Sequence, residues 1–321
     1  MKRILLHILL ISGLVSCGSK NTIPQAATDY LSEVLALLEE KSVNRKKVNW
    51  TALRTAVFKK AEHANSIADT YPAITFAVAE LNDNHSYFKP VIESEIEGGN
   101  KPLPVLEDEV TPEDIGYIRI PFCIGSEEVI NDYIAAISAK IKEQSKQELK
   151  GWILDLRGNF GGNMWPMLLS IEPLIGNGTV GYFVNSDEEF QAWTMNKGKI
   201  YLENEQVLEN LQYQNLDLSR QFLAVLTDNK TASSGEAIAV ALKGRANAKS
   251  FGQATYGVST GCVTHQLSDG SRLNLAESIF VDRNKNKYGQ SIHPDIECEA
   301  DDALKMAIDW LYTINRKNTI D

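Results

Sequence analysis

A serine placed where an apolar run gives way to a helix is a candidate nucleophile, and this chain carries one at Ser233. Residues 222–227, Phe-Leu-Ala-Val-Leu-Thr, read as a buried strand. A short turn, Asp228-Asn229-Lys230-Thr231-Ala232, leads to Ser233-Ser234-Gly235-Glu236 and a helical pattern. A hydroxyl at a helix start lies at the positive end of the helix dipole, and small neighbours keep it open to a substrate. The same residues spell a capping box, Ser233-x-x-Glu236, so the local pattern leaves capping and catalysis both open. A second cluster follows another buried run: Trp152-Ile153-Leu154-Asp155-Leu156-Arg157-Gly158-Asn159-Phe160-Gly161-Gly162. Glycines there let backbone N–H groups converge on an anion such as a developing oxyanion. Neither GxGxxG nor GxxxxGK[ST] is present, which argues against a phosphate loop. The third is Glu80-Leu81-Asn82-Asp83-Asn84-His85-Ser86-Tyr87. A serine nucleophile needs a base that titrates near neutrality; the position of His85, just past a helical pattern, leaves open both projection into a cleft and a helix-terminal histidine favoured by the dipole.

The elements that must hold these residues alternate. Strand patterns at 117–121, 152–156 and 222–227 are interleaved with helical patterns at 126–148, at Met164, Met167, Leu168 and Ile171, and at 233–243. β-structure is expected over 260–282 and a closing helix over 301–311, which together indicate an α/β fold. Ahead of them, Asp29, Asn49 and Pro72 mark the starts of three helices, the last running to about Leu81, which form a small N-terminal helical domain. The expected organisation is a leader (1–16), a tether (17–26), the helical domain (27–88), an acidic Pro- and Gly-containing linker (89–115) and the α/β core (116–321). No element is assigned between the helix at Met164–Ile171 and the strand at 222.

Composition narrows the function classes. With 42 acidic against 32 basic residues the formal charge is −10, which leaves no basic excess for nucleic acid. Lys2 and Arg3 precede an apolar stretch, 4–15, too short to span a bilayer, which ends at Leu14-Val15-Ser16-Cys17. This resembles a bacterial lipobox, and it implies acylation of Cys17 and a membrane-anchored envelope protein. Gly18 carries no inner-membrane retention signal of the aspartate kind, so the expected site is the outer membrane, facing the periplasm. The remaining Cys123, Cys262 and Cys298 have neither disulfide-framework nor zinc-ligand spacing, and no metal or cofactor is expected.

Taken together, the three clusters resemble the tail-specific, or C-terminal-processing, serine proteases. That family combines a histidine after a leading helical segment, a DLRxNxGG loop and a TASxGE nucleophile turn. Gly252-Gln253-Ala254-Thr255-Tyr256-Gly257 is similar to its GExTxG stretch, and Ile292-His293-Pro294-Asp295-Ile296 to its closing P-D segment. The resemblance implies a ClpP/crotonase-like core of spiralled ββα units. The 89–115 stretch is too short for the PDZ domain that many members insert there. Carried over, Ser233 is the nucleophile, and the N–H groups of Ser234 and Gly161 form the oxyanion hole, with Gly162 the alternative to Gly161. The position of the family's dyad lysine is Val258. The resemblance is therefore to the tricorn-core and retinoid-binding-protein-like branch, in which a histidine is the base, and His85 takes that place. Asn84 replaces the serine before that histidine and Gln290 lies nearest the position of a missing glutamate, which makes these two the candidate orienting residues. The implied activity is serine endopeptidase action on a peptide or protein. A weakly active or inactive protein binding peptides or hydrophobic ligands is the alternative on the same fold. A crotonase-like acyl-CoA enzyme is a third reading, and export of the chain speaks against it.

Overall fold

The computed structural model describes residues 22–91 and 107–318. The leader, Cys17, most of the tether and linker residues 92–106 lie outside the described residues.

Three helices open the described chain: α1 (Gln25–Lys41), α2 (Trp50–Lys60) and α3 (Tyr71–Ala79). Tyr30, Leu31, Val34, Leu35 and Leu38 form the buried stripe of α1, at the 3–4 residue spacing of a one-sided helix. Asn49 caps α2 as expected, its side chain accepting the N–H of Ala52 at 3.1 Å, and Pro72 sits in the first turn of α3. Asp29 does not cap α1. That helix begins four residues earlier, after Pro24, and Asp29 lies inside it, accepting a hydrogen bond from Gln25 at 2.8 Å. The alanines at 26 and 27 are strong helix formers, and they extend the helix past the Asp29 start signal.

The core has two sheets. The first is antiparallel, in the order β1-β11-β4-β5-β6-β7, with β10 also on β11. It contains β1 (Tyr87–Lys89), β4 (Gly178–Asn185), β5 (Phe190–Met195), β6 (Lys199–Leu202), β7 (Glu205–Glu209), β10 (Thr260–Gln266) and β11 (Arg272–Asp282). Its β4–β7 meander fills the region that the sequence pattern leaves unassigned. The second sheet is parallel, in the order β12-β9-β8-β3-β2: β2 (Gly116–Arg119), β3 (Trp152–Asp155), β8 (Leu223–Thr227), β9 (Ala248–Gly252) and β12 (Ile296–Glu297). Every residue of β3 and β8 is buried, as continuous apolar runs in a parallel sheet require.

The two-residue period of these strands divides the core. Trp152, Leu154, Leu223 and Val225 join a cluster with α4 (Glu127–Gln144), α5 (Met164–Ser170), α7 (Ser234–Leu242) and the inner face of the antiparallel sheet. The alternate residues Ile153, Ala224 and Leu226 pack with Ala303, Ala307 and Leu311, one face of α8 (Ala300–Asn318). A short α6 (Glu172–Ile175) leads into β4. The helical segment is seated on the core: α1–α3 share a cluster with Leu267, Leu273 and Leu275 beside and within β11, and β1 pairs Tyr87 with Asn274 and Phe88 with Leu273. No helix among the described residues is long and apolar enough to cross a membrane. The loops that leave the carboxyl ends of β3 and β8 therefore meet the turn that follows α3, and carboxyl ends of parallel strands are where open α/β sheets place their ligands.

Candidate active site

The loop after β3 is built around two buried side chains. Asp155, fully buried, accepts from the Tyr117 hydroxyl at 2.7 Å and from the Arg157 guanidinium at 2.7 Å. Arg157 in turn donates to the carbonyl of Ala300, at the start of α8, at 2.9 Å. Asn159, also fully buried, donates to the carbonyl of Ile120 at 2.9 Å, and its own carbonyl accepts the N–H of Ala232 at 2.9 Å. The Asp-Leu-Arg-x-Asn run thus docks the glycine loop onto the turn that carries Ser233. Gly161 has φ +120°, and a methyl group there would stand 2.9 Å from Cβ of Ser233, so only glycine allows this approach.

The two glycine amides differ. The N–H of Gly161 donates to Oδ1 of Asn159 at 3.0 Å. Gly161 is buried, whereas Gly162 is exposed, and its N–H has no acceptor among the described residues. The carbonyl of Gly162 accepts from the Ser234 hydroxyl at 2.5 Å, which clips the glycine loop to the first turn of α7. The N–H of Ser234 is likewise without an acceptor among the described residues.

Ser233 adopts φ +51° and ψ −116°, a combination rare outside glycine that costs roughly 1–3 kcal/mol and persists only when surroundings impose it. Glu236 imposes it. Its fully buried carboxylate accepts from the N–H of Ser233 (2.8 Å), the N–H of Gly257 (3.0 Å), the N–H of Val258 (3.0 Å) and the hydroxyl of Thr255 (2.6 Å). Burial pushes the Glu236 carboxyl above the usual carboxylate range, and these four donors pull the other way. The anticipated pairing of Ser233 with Glu236 is present and reaches further than a cap, because it ties the turn to residues 255–258. The stretch similar to GExTxG is thus an anchor. The P-D segment is another: Asp295 accepts from the N–H (2.7 Å) and hydroxyl (2.8 Å) of Ser250 and from Lys243 at 2.9 Å, which fixes β9. Val258 is buried and contributes its backbone alone.

His85 is held by a turn. Asp83 accepts the N–H of His85 at 2.9 Å and both the N–H (2.6 Å) and hydroxyl (2.7 Å) of Ser86, and the Ser86 oxygen accepts the N–H of Ala276 on β11 at 2.9 Å. Nδ1 of the half-buried ring lies 2.6 Å from Oγ1 of Thr260 and 3.2 Å from Sγ of Cys262, both on β10. Nε2 has no partner among the described residues. Burial pushes the His85 pKa below the ordinary imidazole value, with the Asp83 carboxylate opposing. Burial also pushes the Cys262 thiol up to about 12, so it stays protonated at neutral pH.

His85, Ser233, Ser234 and Gly162 line one cleft of about 660 Å³. Ile124, Ile130, Trp165, Phe183 and Phe280 supply its apolar wall. No hydrogen bond joins His85 to Ser233 among the described residues, and catalytic hydrogen bonds of this kind tighten in the substrate complex. Asn84 and Gln290 are placed elsewhere. Both are exposed, line a neighbouring cavity beyond Thr260 and make no hydrogen bond to His85. The ring's partners are instead Thr260 and Cys262, which stand 175 and 177 residues along the chain, a distance at which no local pattern announces a contact. Of the other histidines, His265 pairs with Glu277 at 2.5 Å, while His63 and His293 are exposed.

The chain is similar to known proteins in sequence and in fold. The chain is 26% identical over 293 residues to the nisin-resistance protein of Lactococcus lactis subsp. lactis, covering 90% of this chain and 88% of that one. It is also 26% identical to the carboxy-terminal processing protease CtpB of Bacillus subtilis (strain 168), over 61% of this chain but only 36% of that protein. Among solved structures, a lipoprotein from Streptococcus agalactiae superposes with a TM-score of 0.73 at 27% identity, covering 96% of this chain and 99% of that one. The photosystem II D1 C-terminal processing protease superposes at 0.64 with 16% identity, over 87% of this chain and 94% of that one, and so shares the fold. Residues 114–298, more than half of the chain, match the family model of peptidase family S41, and the chain belongs to that family.

Proposed function

We propose that the protein is a serine endopeptidase in which Ser233 is the nucleophile and His85 the base. The observation that carries the reading is the shared cleft: a strained serine at a helix start and an imidazole with an uncommitted Nε2 line the same cavity. Nε2 takes the proton from Oγ of Ser233 as Oγ attacks a peptide carbonyl. The resulting imidazolium returns that proton to the departing amine, and water hydrolyses the acyl-enzyme by the same route. The oxyanion is received by the N–H of Ser234 and by an amide of the glycine loop. The resemblance leaves Gly161 and Gly162 both open for that donor; the N–H of Gly161 is committed to Asn159, so the exposed Gly162 is the donor in this conformation.

The substrate is a peptide that places an apolar side chain against Trp165, Phe183 and Phe280. A near full-length relative named for nisin resistance makes nisin the first peptide to assay. Acylation at Cys17 anchors the enzyme in the cell envelope. The reading rests on the leader pattern and on a similar structure described as a lipoprotein.

A fluorophosphonate probe tests the chemistry. It should label the wild-type protein and leave Ser233→Ala unlabelled, whereas a protein that only binds peptides would not label at all. The anchor is tested by Cys17→Ser, which should leave the membrane fraction or remain unprocessed. Normal processing with undiminished membrane association would exclude it.

A further inference from the structure

We propose that Thr260 is the positioning residue that completes the site, selecting the tautomer of His85 that can act as a base. This inference rests on the serine–histidine reading above. Neutral imidazole carries its proton on one nitrogen only, and a base needs the lone pair on the nitrogen that faces the substrate. In this structure Nδ1 is 2.6 Å from Oγ1 of Thr260, a hydrogen-bond distance, while Nε2 is uncommitted. If Nδ1–H donates to Oγ1, the lone pair lies on Nε2, within the cleft shared with Ser233. When Nε2 takes up the serine proton, Nδ1–H keeps the same acceptor, and its hydrogen bond strengthens as the ring becomes charged.

Thr260 is well held for this task. It is buried, its N–H donates to the carbonyl of Val258 at 2.8 Å, and it pairs with Ile279 on β11. Val258 is in turn bound by Glu236, the residue that sets the conformation of Ser233. One chain of contacts, Ser233–Glu236–Val258–Thr260–His85, therefore joins the nucleophile to the orientation of the base.

Cys262 competes for the same nitrogen. A protonated thiol 3.2 Å from Nδ1 can donate to it, which would place the ring proton on Nε2 and remove the lone pair from the cleft. The two neighbours thus favour opposite tautomers. The shorter contact belongs to the hydroxyl, and an oxygen is a better hydrogen-bond partner than a thiol. The charged and titratable groups around the ring are Asp83 in its own turn, Cys262 on β10 and, beyond Cys262, Glu277 on β11, which is paired with His265.

The test compares Thr260→Val, which keeps shape without the acceptor, with Thr260→Ser, which keeps the acceptor, and with Cys262→Ala. Thr260→Val should lower kcat roughly ten- to a hundredfold with little change in KM, a part of the 10²–10⁴ that a general base contributes. Its pH–rate midpoint should move down, because the imidazolium loses the stronger of its hydrogen bonds. Thr260→Ser should restore both, and Cys262→Ala, which removes the competing donor to Nδ1, should raise kcat. Nitrogen NMR of ring-labelled histidine should find wild-type His85 protonated at Nδ1 and the valine variant shifted towards Nε2–H. Wild-type kcat and pH profile in Thr260→Val, or Nε2–H in the wild type, would overturn the proposal. Failure of the underlying reading is seen separately, as fluorophosphonate labelling that survives Ser233→Ala or is absent from the wild type.

Discussion

The two halves of the cleft are made in different ways. The nucleophile half is local and interior. Its two loops leave adjacent, fully buried parallel strands, β3 and β8, and are cross-tied by the Asn159 carbonyl and the Ser234 hydroxyl, while Glu236 ties the second loop to residues 255–258. The base half is assembled from a distance. His85 follows a helical segment that precedes the core, reaches the cleft through the three residue pairs of β1 with β11, and takes its ring partners from β10. A strained serine needs rigid surroundings that leave it no alternative, whereas a base needs one ring orientation, which a short strand and one hydroxyl can supply.

This contrast can be tested by breaking one half at a time. The largest expected effect is from Ser233→Ala, with peptidase activity reduced by about 10⁴-fold or more and folding nearly intact, since a lost cap costs only about 0.5–2 kcal/mol. Ser234→Ala retains the N–H assigned to the oxyanion and should be milder. A reversal of that order would move the nucleophile by one residue.

His85→Ala should approach the same loss, because nucleophile and base act as a unit. His265→Ala and His293→Ala should retain most activity. In the wild type the protonated ring has no lone pair, so kcat/KM should rise with pH. Burial lowers the pKa of His85, so the midpoint should lie below the ordinary value of about 6.5. A rise centred in the alkaline range would point to a different base.

Glu236→Gln is the next step down and weakens the tie between the halves. The carboxylate accepts four donors, and an amide nitrogen in place of one oxygen faces donors with a donor. Each buried N–H left unpaired costs about 1–3 kcal/mol. We expect a lower melting temperature together with a tenfold or greater fall in kcat; unchanged kcat would show that Ser233 keeps its geometry without this anchor.

Leu273→Ala addresses the base half alone. Leu273, on β11 opposite Phe88, is fully buried against the helices, and its truncation should cost about 2–5 kcal/mol. Activity at low temperature should fall only modestly, and hydrogen exchange should quicken in 80–90 more than in 227–240. Equal quickening in both would mean that the halves are one cooperative unit.

Features whose causes are contiguous in the chain can be read without the fold. Continuous apolar runs specify the buried strands β3 and β8, and the Gly161-Gly162 and Ser233–Glu236 motifs follow them because strand, turn and helix start lie within a dozen residues. Asn49 and Pro72 act through neighbours in the same turn, so their roles were equally legible. Features that depend on register and distance emerge only on folding. The meander over 178–209 escapes a reading by period because its strands are partly buried on mixed patterns; in β5 only Trp193 and Met195 are buried. Asn84 and Gln290 have suitable chemistry for orienting a ring, but their backbones send them to another cavity. Thr260 and Cys262 reach Nδ1 of His85 because β11 pairs with both β1 and β10, and no local propensity encodes a pairing between strands that far apart in the chain.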